Sequence, residues 1–436
     1  AGASGRGQRH DDPVHAVGHR PAAHRAQGAR QVGKTWLMKH FGEQHFAKVA
    51  YINFDNNERM KVLFEGDFDV HRLLLGLQIE SGVDIEPENT LLIFDEIQEV
   101  PKALSSLKYF YENMPQLSIL SAGSLLGTAI HQGLSFPVGK VEFLALYPMD
   151  FIEFLWAMGD DKLVNLLKSQ DWGLITAMKS KYIERLRQYY FVGGMPEAVK
   201  TFVDGQNFEA VRYVQNNLLL AYEYDFSKHI QDNSIISKVR AVWQSLPEQL
   251  AKENKKFVAT QAQSGARLKD FESAIQWLVA SGLVHQIFRI TKPNLPLGGY
   301  QDNVFKLYFV DVGLLTAKTG LDVSVLLAGN RLFTEFKGAL TEQYVLQQLL
   351  VSGLEPIFYW GLERAVAEVD FVVQHSSQII PIEVKAEENL KAKSLRSYYD
   401  KFKPDKVFRT SMSDYRKQDW LVNLPLYALA NFRSLE

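Results

Sequence analysis

The run Gly28-Ala29-Arg30-Gln31-Val32-Gly33-Lys34-Thr35 constrains this chain more than any other eight residues. It fits the pattern G-x-x-x-x-G-K-[ST], and each fixed position answers a physical need. The glycines let successive backbone N–H groups curl around phosphate oxygens at a helix N-terminus, where the helix dipole also favours an anion. Lys34 is spaced to reach the β and γ phosphates of a nucleotide, and Thr35 to bind Mg²⁺ through its hydroxyl. Such a loop hangs between a buried strand and a helix. Residues 36–46 read as that helix. The residues before the loop, Pro21-Ala22-Ala23-His24-Arg25-Ala26-Gln27, carry no apolar strand signal, so the first strand is expected to be missing.

A second feature completes the chemistry. Leu91-Leu92-Ile93-Phe94 is an unbroken apolar run of the buried parallel-strand type, and it ends in Asp95-Glu96. Two carboxylates delivered at a strand's C-terminal end suit a phosphoryl-transfer site: Asp95 to hold Mg²⁺, directly or through water, and Glu96 to polarise the attacking water. ATP is favoured over GTP because the chain has no base-reading Asn-Lys-x-Asp motif.

Around this pair, residues 47–54 and 117–120 read as strands, and strands alternating with helices imply an α/β fold class with a parallel sheet. The carboxylate pair, followed by Ser124 after the next strand, resembles the AAA+ branch of P-loop ATPases, and the resemblance implies that Ser124 senses the γ-phosphate. It also implies a homo-oligomer in which a neighbour supplies an arginine. Lys140, Arg185 and Arg187 are candidates among which the sequence does not choose, and Lys140 stands where an arginine is expected after Gly139.

Composition sets outer limits. At 436 residues more than one hydrophobic core is expected, and 46% hydrophobic with 22% charged residues describes an ordinary globular chain that folds. A net charge of -2 means that any grip on nucleic acid comes from local basic patches. The absence of cysteine removes disulfides, thiolate zinc sites and cysteine nucleophiles, and it fits a reducing, cytoplasmic location. No membrane association is expected: the most apolar stretch, residues 141–158, is broken by Glu142, Asp150 and Glu153, short of the roughly eighteen uncharged residues a membrane helix needs.

The pass along the chain predicts five segments. Residues 1–27, with His10, His15, His19 and His24 scattered among Arg and Gly, read as a disordered or aberrant leader and not as a metal site. Residues 28–150 read as the P-loop domain and residues 151–230 as a helical lid, interrupted where Gly193-Gly194-Met195-Pro196 must break a helix. Residues 231–300, with helices at 235–251 and 271–281, a strand at 283–290 and a Pro/Gly-rich loop at 292–299, resemble a winged helix-turn-helix. Residues 301–436 form the last segment.

That segment carries a second acidic constellation. A helix over 335–351 precedes two strand-like runs at 368–373 and 378–385. Strand period two puts Glu383 and Lys385 on one face and Ile380, Ile382 and Val384 on the other. If the hairpin sets Asp370 beside Glu383, the two carboxylates converge as a Mg²⁺ site, and Lys385 can activate a water against a phosphodiester. This resembles the PD-(D/E)XK nuclease motif, whose preceding helix often adds one more acid; Glu342, or else Glu335, occupies that helix. A solvated acidic face or a degenerate nuclease fold is the competing reading.

Taken together, Gly28 to Thr35, Phe94-Asp95-Glu96-Ile97-Gln98, Ala122-Gly123-Ser124, Gly193-Gly194-Met195-Pro196-Glu197, Val369-Asp370-Phe371 and Ile382-Glu383-Val384-Lys385 resemble a family of bacterial and archaeal AAA+ ATPases with a nuclease-like C-terminal domain of unassigned function. The resemblance implies an ATPase core, a winged helix and a PD-(D/E)XK-like domain. Two functions follow. One is an ATP-driven enzyme acting on DNA, with Lys255, Lys256, Arg267 and Lys269 as the DNA face unless they are a solvated helix surface. The other is an ATP-dependent switch that binds a protein partner and carries an inactive nuclease-like domain.

Overall fold

The protein is described from a computed structural model that covers residues 23–123, 141–252, 255–328, 334–362, 367–387 and 392–435. It divides into two compact units. One comprises the described residues up to Gln27 together with Gly33–Leu146; the other comprises Gly28–Val32 together with Tyr147–Glu436.

The first unit is built on five strands, β1 (Ala23–Gln27), β2 (Lys48–Asn53), β3 (Thr90–Asp95), β4 (Ser118–Ala122) and β5 (Val141–Ala145), in the order β2-β3-β4-β1-β5 with every pair parallel. The first strand is therefore present, contrary to the expectation from Ala23-His24-Arg25-Ala26-Gln27. Sheet hydrogen bonds come from the backbone, so a strand paired on both sides needs no apolar side chains to be held.

Four helices cover the sheet: α1 (Lys34–His45), α2 (Glu58–Glu65), α3 (Val70–Ser81) and α4 (Pro101–Asn113). Asn57 and Asp69 cap α2 and α3 by accepting from the amides of Met60 and Arg72. Every residue of β3 is buried, which is why it reads as a continuous apolar run. Its alternation is nonetheless used. Leu91 and Ile93 pack with Met38 of α1, whereas Leu92 and Phe94 pack with Leu73, Leu77, Leu104 and Leu107 of α3 and α4. Period two then carries Asp95 to the α1 side.

The second unit opens with helices α5 (Phe151–Ala157), α6 (Lys179–Val192), α7 (Pro196–Gly205), α8 (Phe208–His229), α9 (Asn233–Ala251) and α10 (Glu272–Ala280). An eight-stranded mixed sheet follows, from β6 (Val284–Ile290), β7 (Gln301–Phe309), β8 (Ile357–Gly361), β9 (Glu368–His375), β10 (Gln378–Val384), β11 (Phe408–Ser411), β12 (Arg416–Lys417) and β13 (Val422–Pro425), in the order β12-β13-β11-β10-β9-β8-β6-β7. Helices α11 (Val312–Lys318), α12 (Thr334–Val351) and α13 (Lys393–Phe402) pack with it, and short helices at Asp161–Ser169, Trp172–Ala177, Ala259–Ala262 and Val323–Ala328 fill in the unit.

The segments 151–230, 231–300 and 301–436 share one compact unit. The strand expected in the winged helix, β6, pairs antiparallel with β7 and parallel with β8, so that hairpin forms the end of the large sheet. The apolar content of 284–290 announces a strand but cannot say which sheet it joins.

The Gly193-Gly194 break is a structural joint. Gly193 closes α6 at φ 74°, and a Cβ there would lie 2.1 Å from Asp311 Oδ1. Asp311 is fully buried; its Oδ2 accepts from the Gly194 amide (2.7 Å) and from Gln347 Nε2 (3.1 Å), and its Oδ1 caps α11 by accepting from the Leu314 amide (3.0 Å). Pro196 then starts α7 at its first turn, where no amide is needed.

Candidate functional site

The phosphate-binding loop enters α1 through Gly33, which sits in the left-handed region at φ 93° and serves as the helix N-cap. Gln31 is also left-handed, at φ 67°. Left-handed residues are the kind that let loop amides turn toward an anion, and the first turn of α1 contains no acid to oppose one. Ala29, Val32 and Lys34 are buried. Within the second unit, the Arg30 guanidinium pairs with Asp225 Oδ1 at 2.5 Å, and the Tyr222 hydroxyl donates to the Arg30 carbonyl at 2.9 Å.

At the end of β3, Asp95 is 5% exposed. Its Oδ2 accepts from the Thr35 hydroxyl at 2.7 Å and from the Tyr51 hydroxyl at 2.8 Å. Burial, followed by that hydrogen bond, pushes the Tyr51 phenol well above its ordinary range, so it stays a donor. A hydroxyl and a carboxylate in contact are the oxygen donors a hard divalent cation takes, so these residues fit Mg²⁺. Glu96 occupies the left-handed region at φ 52°, donates its amide to Asp95 Oδ1 (3.1 Å), and accepts from Gln98 Nε2 through Oε2 (2.6 Å). One carboxylate oxygen of Glu96 is thereby tethered.

The second constellation gathers in the large unit. The β9–β10 register pairs Ile382 with Phe371, which brings Glu383 opposite Asp370 at the next position. Both faces of β10 are covered, and Glu383 is buried, so the face is not a solvated one. Asp370 Oδ2 accepts from the Val384 amide at 2.7 Å. Glu383 Oε1 pairs with Lys385 at 2.6 Å, while its buried Oε2 has no hydrogen-bond partner among the described residues. Glu342 of α12 pairs through Oε1 with Lys255 (2.5 Å) and accepts through Oε2 from the Tyr308 hydroxyl (3.1 Å). Lys306 of β7, 1% exposed, pairs with Glu368 at 2.5 Å.

The electrostatics follow from that packing. Burial, then the charges of Glu342 and Glu383, push the Asp370 carboxyl well above its ordinary range. Burial likewise raises Glu383, with Lys385 opposing it. Glu342 feels the same burial, but Lys255 and Lys306 outweigh it and hold this carboxyl below the usual range. Lys306 and Lys385 stay charged although burial opposes it, because Tyr308 and Glu368 act on the first and Glu383 on the second. Asp370, Glu383, Lys385 and Glu342 are therefore brought together, but each carboxylate is turned onto a lysine, a hydroxyl or an amide. Among the described residues no group of three or more His, Asp or Glu side chains is arranged to hold a metal ion.

Comparison with known families divides the chain in three. Residues 23–155 match the family model of the AAA domain, beginning at the first residue of β1. That match identifies residues 23–155 as an AAA-type ATPase domain. Residues 183–324 and 337–429 match two domains of unknown function, DUF8612 and DUF4143. No curated protein matches the chain. The AAA domain thus takes in the loop, β3 and Asp95-Glu96, and the acidic cluster is spread across the other two matches, with Lys255, Lys306 and Tyr308 in one and Glu342, Asp370, Glu383 and Lys385 in the other.

Several expected residues fall elsewhere. Ser124 and Lys140 lie outside the described residues. Arg185 is committed to Asp160 (2.5 Å) and Gln188 (2.9 Å), which leaves it poorly suited to serve a neighbouring subunit, and Arg187 is half-buried. Of the basic candidates, Arg267 and Lys269 are exposed, but Lys255 is not: the bridge between Lys256 and Lys306 lays its segment against β7 and aims Lys255 at Glu342.

Two residues of the AAA domain were not anticipated, Tyr51 and Gln98. Tyr51 has a readable signal: Val49 and Tyr51 share the α1 side of β2, the face to which period two also brings Asp95. Among the described residues no helix is long and apolar enough to cross a membrane.

Proposed function

We propose that this protein binds ATP with Mg²⁺ and hydrolyses it in the AAA domain. The observation that carries the reading is the 2.7 Å contact between Thr35 and Asp95, which joins the loop to the acidic end of β3. In this reading the amides of residues 28–35 and the Lys34 ammonium hold the β and γ phosphates. Thr35 and Asp95 hold Mg²⁺, which neutralises charge on the transferring phosphoryl group. Tyr51 keeps Asp95 in place, and Glu96, tethered by Gln98, polarises the attacking water.

We further propose that the acidic centre of the large unit acts on DNA as a nuclease-type centre, with Asp370 and Glu383 as cation ligands and Lys385 as the group that orients water. Their meeting on adjacent strands supports it. The alternative, a nucleotide-dependent switch with a catalytically inactive nuclease-like domain, is favoured by one observation: both oxygens of Glu342 are already taken.

The test is incubation of the purified chain with plasmid DNA and Mg²⁺ or Mn²⁺, with and without ATP, beside Asp370→Ala and Lys385→Ala. Nuclease function predicts cutting that both substitutions abolish. Cutting that survives both excludes this centre, and absence of both cutting and DNA binding favours the switch.

A further inference from the structure

We propose that Lys255 is a built-in occupant of the acidic centre, and that a divalent cation enters only by displacing its ammonium group from Glu342. The proposal rests on the nuclease-type reading given above and adds a control to it.

Three observations carry it. First, both oxygens of Glu342 are engaged: Oε1 holds Lys255 at 2.5 Å and Oε2 accepts from Tyr308. Second, the centre still offers an unused ligand, because Glu383 Oε2 is buried and has no hydrogen-bond partner among the described residues. A buried carboxylate oxygen without a donor is costly, and a cation is the occupant that satisfies it.

Third, the two lysines nearest Glu342 are held differently. Lys306 projects from the middle of β7, is 1% exposed and is fixed to Glu368. Lys255 comes from outside the named strands, at the edge where Lys256 bridges to Lys306 and the Phe257 amide donates to the Phe305 carbonyl at 2.9 Å. Its side chain keeps 12% exposure. A four-carbon stem anchored there can carry its ammonium out to water, whereas that of Lys306 cannot.

Displacement must also be coupled to arrival. A departing Lys255 leaves Glu342 buried beside Asp370 and Glu383 with one positive charge fewer, and removing one partner of a buried ion pair is strongly destabilising. A divalent cation restores that charge, so the ammonium and the metal are exclusive occupants of one carboxylate. The pair keeps the centre closed until a cation, or a polyanion that draws Lys255 outward, shifts the exchange.

Mn²⁺ titration of the full chain without nucleotide, followed by calorimetry and by the rise in melting temperature, tests the exchange. Lys255→Met is expected to bind Mn²⁺ at least roughly tenfold more tightly than the parent. Its melting temperature without metal should be lower and should recover further on saturation. Lys255→Arg keeps the charge and should bind weakly, like the parent. Adding Glu383→Gln to Lys255→Met should abolish the tight site, which assigns it to this centre. Should Lys255→Met fail to fold, Lys255→Gln removes the same charge and is expected to show the same tightening.

Equal Mn²⁺ affinity in the parent and in the charge-removed variant, still lost with Glu383→Gln, would overturn the exchange while leaving the metal centre intact. No Mn²⁺ binding sensitive to Glu383→Gln in any of these proteins would overturn the metal reading and the exchange with it.

Discussion

Replacing Asp311 with alanine removes the acceptor of three buried donors at once, the amides of Gly194 and Leu314 and the side-chain amide of Gln347, at 2.7, 3.0 and 3.1 Å. A buried donor left without a partner costs about 1–3 kcal/mol, so the three together cost roughly 3–9 kcal/mol before relaxation. Part is recovered, because burial pushes the Asp311 carboxyl above its ordinary range and removing it relieves that penalty. A net loss of about 3–5 kcal/mol is expected. At roughly 2 °C per kcal/mol for a unit of this size, the larger unit should melt about 6–10 °C lower in differential scanning calorimetry.

Asp311→Asn should lie between the parent and Asp311→Ala, since it keeps an acceptor for Leu314 but sets an amide against the Gly194 N–H. The pH dependence carries a sign as well. A carboxyl raised on folding binds its proton more tightly in the native state, so its contribution to stability falls as pH rises from about 4 through the native value. Asp311→Asn should reduce that slope. A melting temperature within about 2 °C of the parent for Asp311→Ala would refute the account of Gly193-Gly194 as a joint built around this carboxylate.

Other outcomes follow from single contacts. Tyr51→Phe removes one of the two hydroxyl donors to Asp95 Oδ2 and should raise the Mg²⁺ concentration for half-maximal ATP turnover by roughly 3–10-fold, with nucleotide binding in the absence of metal unchanged; superimposable Mg²⁺ curves would show that Tyr51 does not position Asp95. His285, lowered to about 4 by burial, should make the larger unit less stable as pH falls from about 6.5 toward 4, because the unfolded state takes up the proton first. His285→Gln should flatten stability over that window, and an unchanged profile would assign the acid sensitivity elsewhere.

How much of this was legible from residues alone depends on where the signal lies. The run 91–94 and the period-two pattern of 378–385 announced β3 and β10 to within a residue or so, because apolarity there reports burial directly. Gly193, Gly194 and Pro196 announced a helix break, since each has a backbone property no neighbour can override. What they could not announce was the reason, an aspartate more than a hundred positions later. β1 escaped notice because Ala-His-Arg-Ala-Gln carries no apolar signal, and its place comes from backbone pairing with β4 and β5.

The sites divide in the same way. Thr35 and Asp95 are legible because motif chemistry fixes residue type and spacing. Tyr51 depends on which strand lies next to β3, a matter of sheet order. At the acidic centre, Asp370, Glu383 and Lys385 can be read from two short strands, whereas Lys255 and Lys306 come from other parts of the chain. Their presence turns an apparent metal site into a closed set of ion pairs.

The most direct test of the central claim separates nucleotide binding from turnover in the AAA domain. Binding of a fluorescent ATP analogue and release of phosphate would be measured on the parent, Lys34→Ala and Glu96→Gln with Mg²⁺ present. Lys34→Ala is expected to lose binding, whereas Glu96→Gln should bind like the parent but turn over about 10²–10⁴-fold more slowly, the usual contribution of a general base. Turnover by Glu96→Gln at the parent rate, or binding by Lys34→Ala at the parent affinity, would contradict the assignment of this loop and this strand end as an ATPase site.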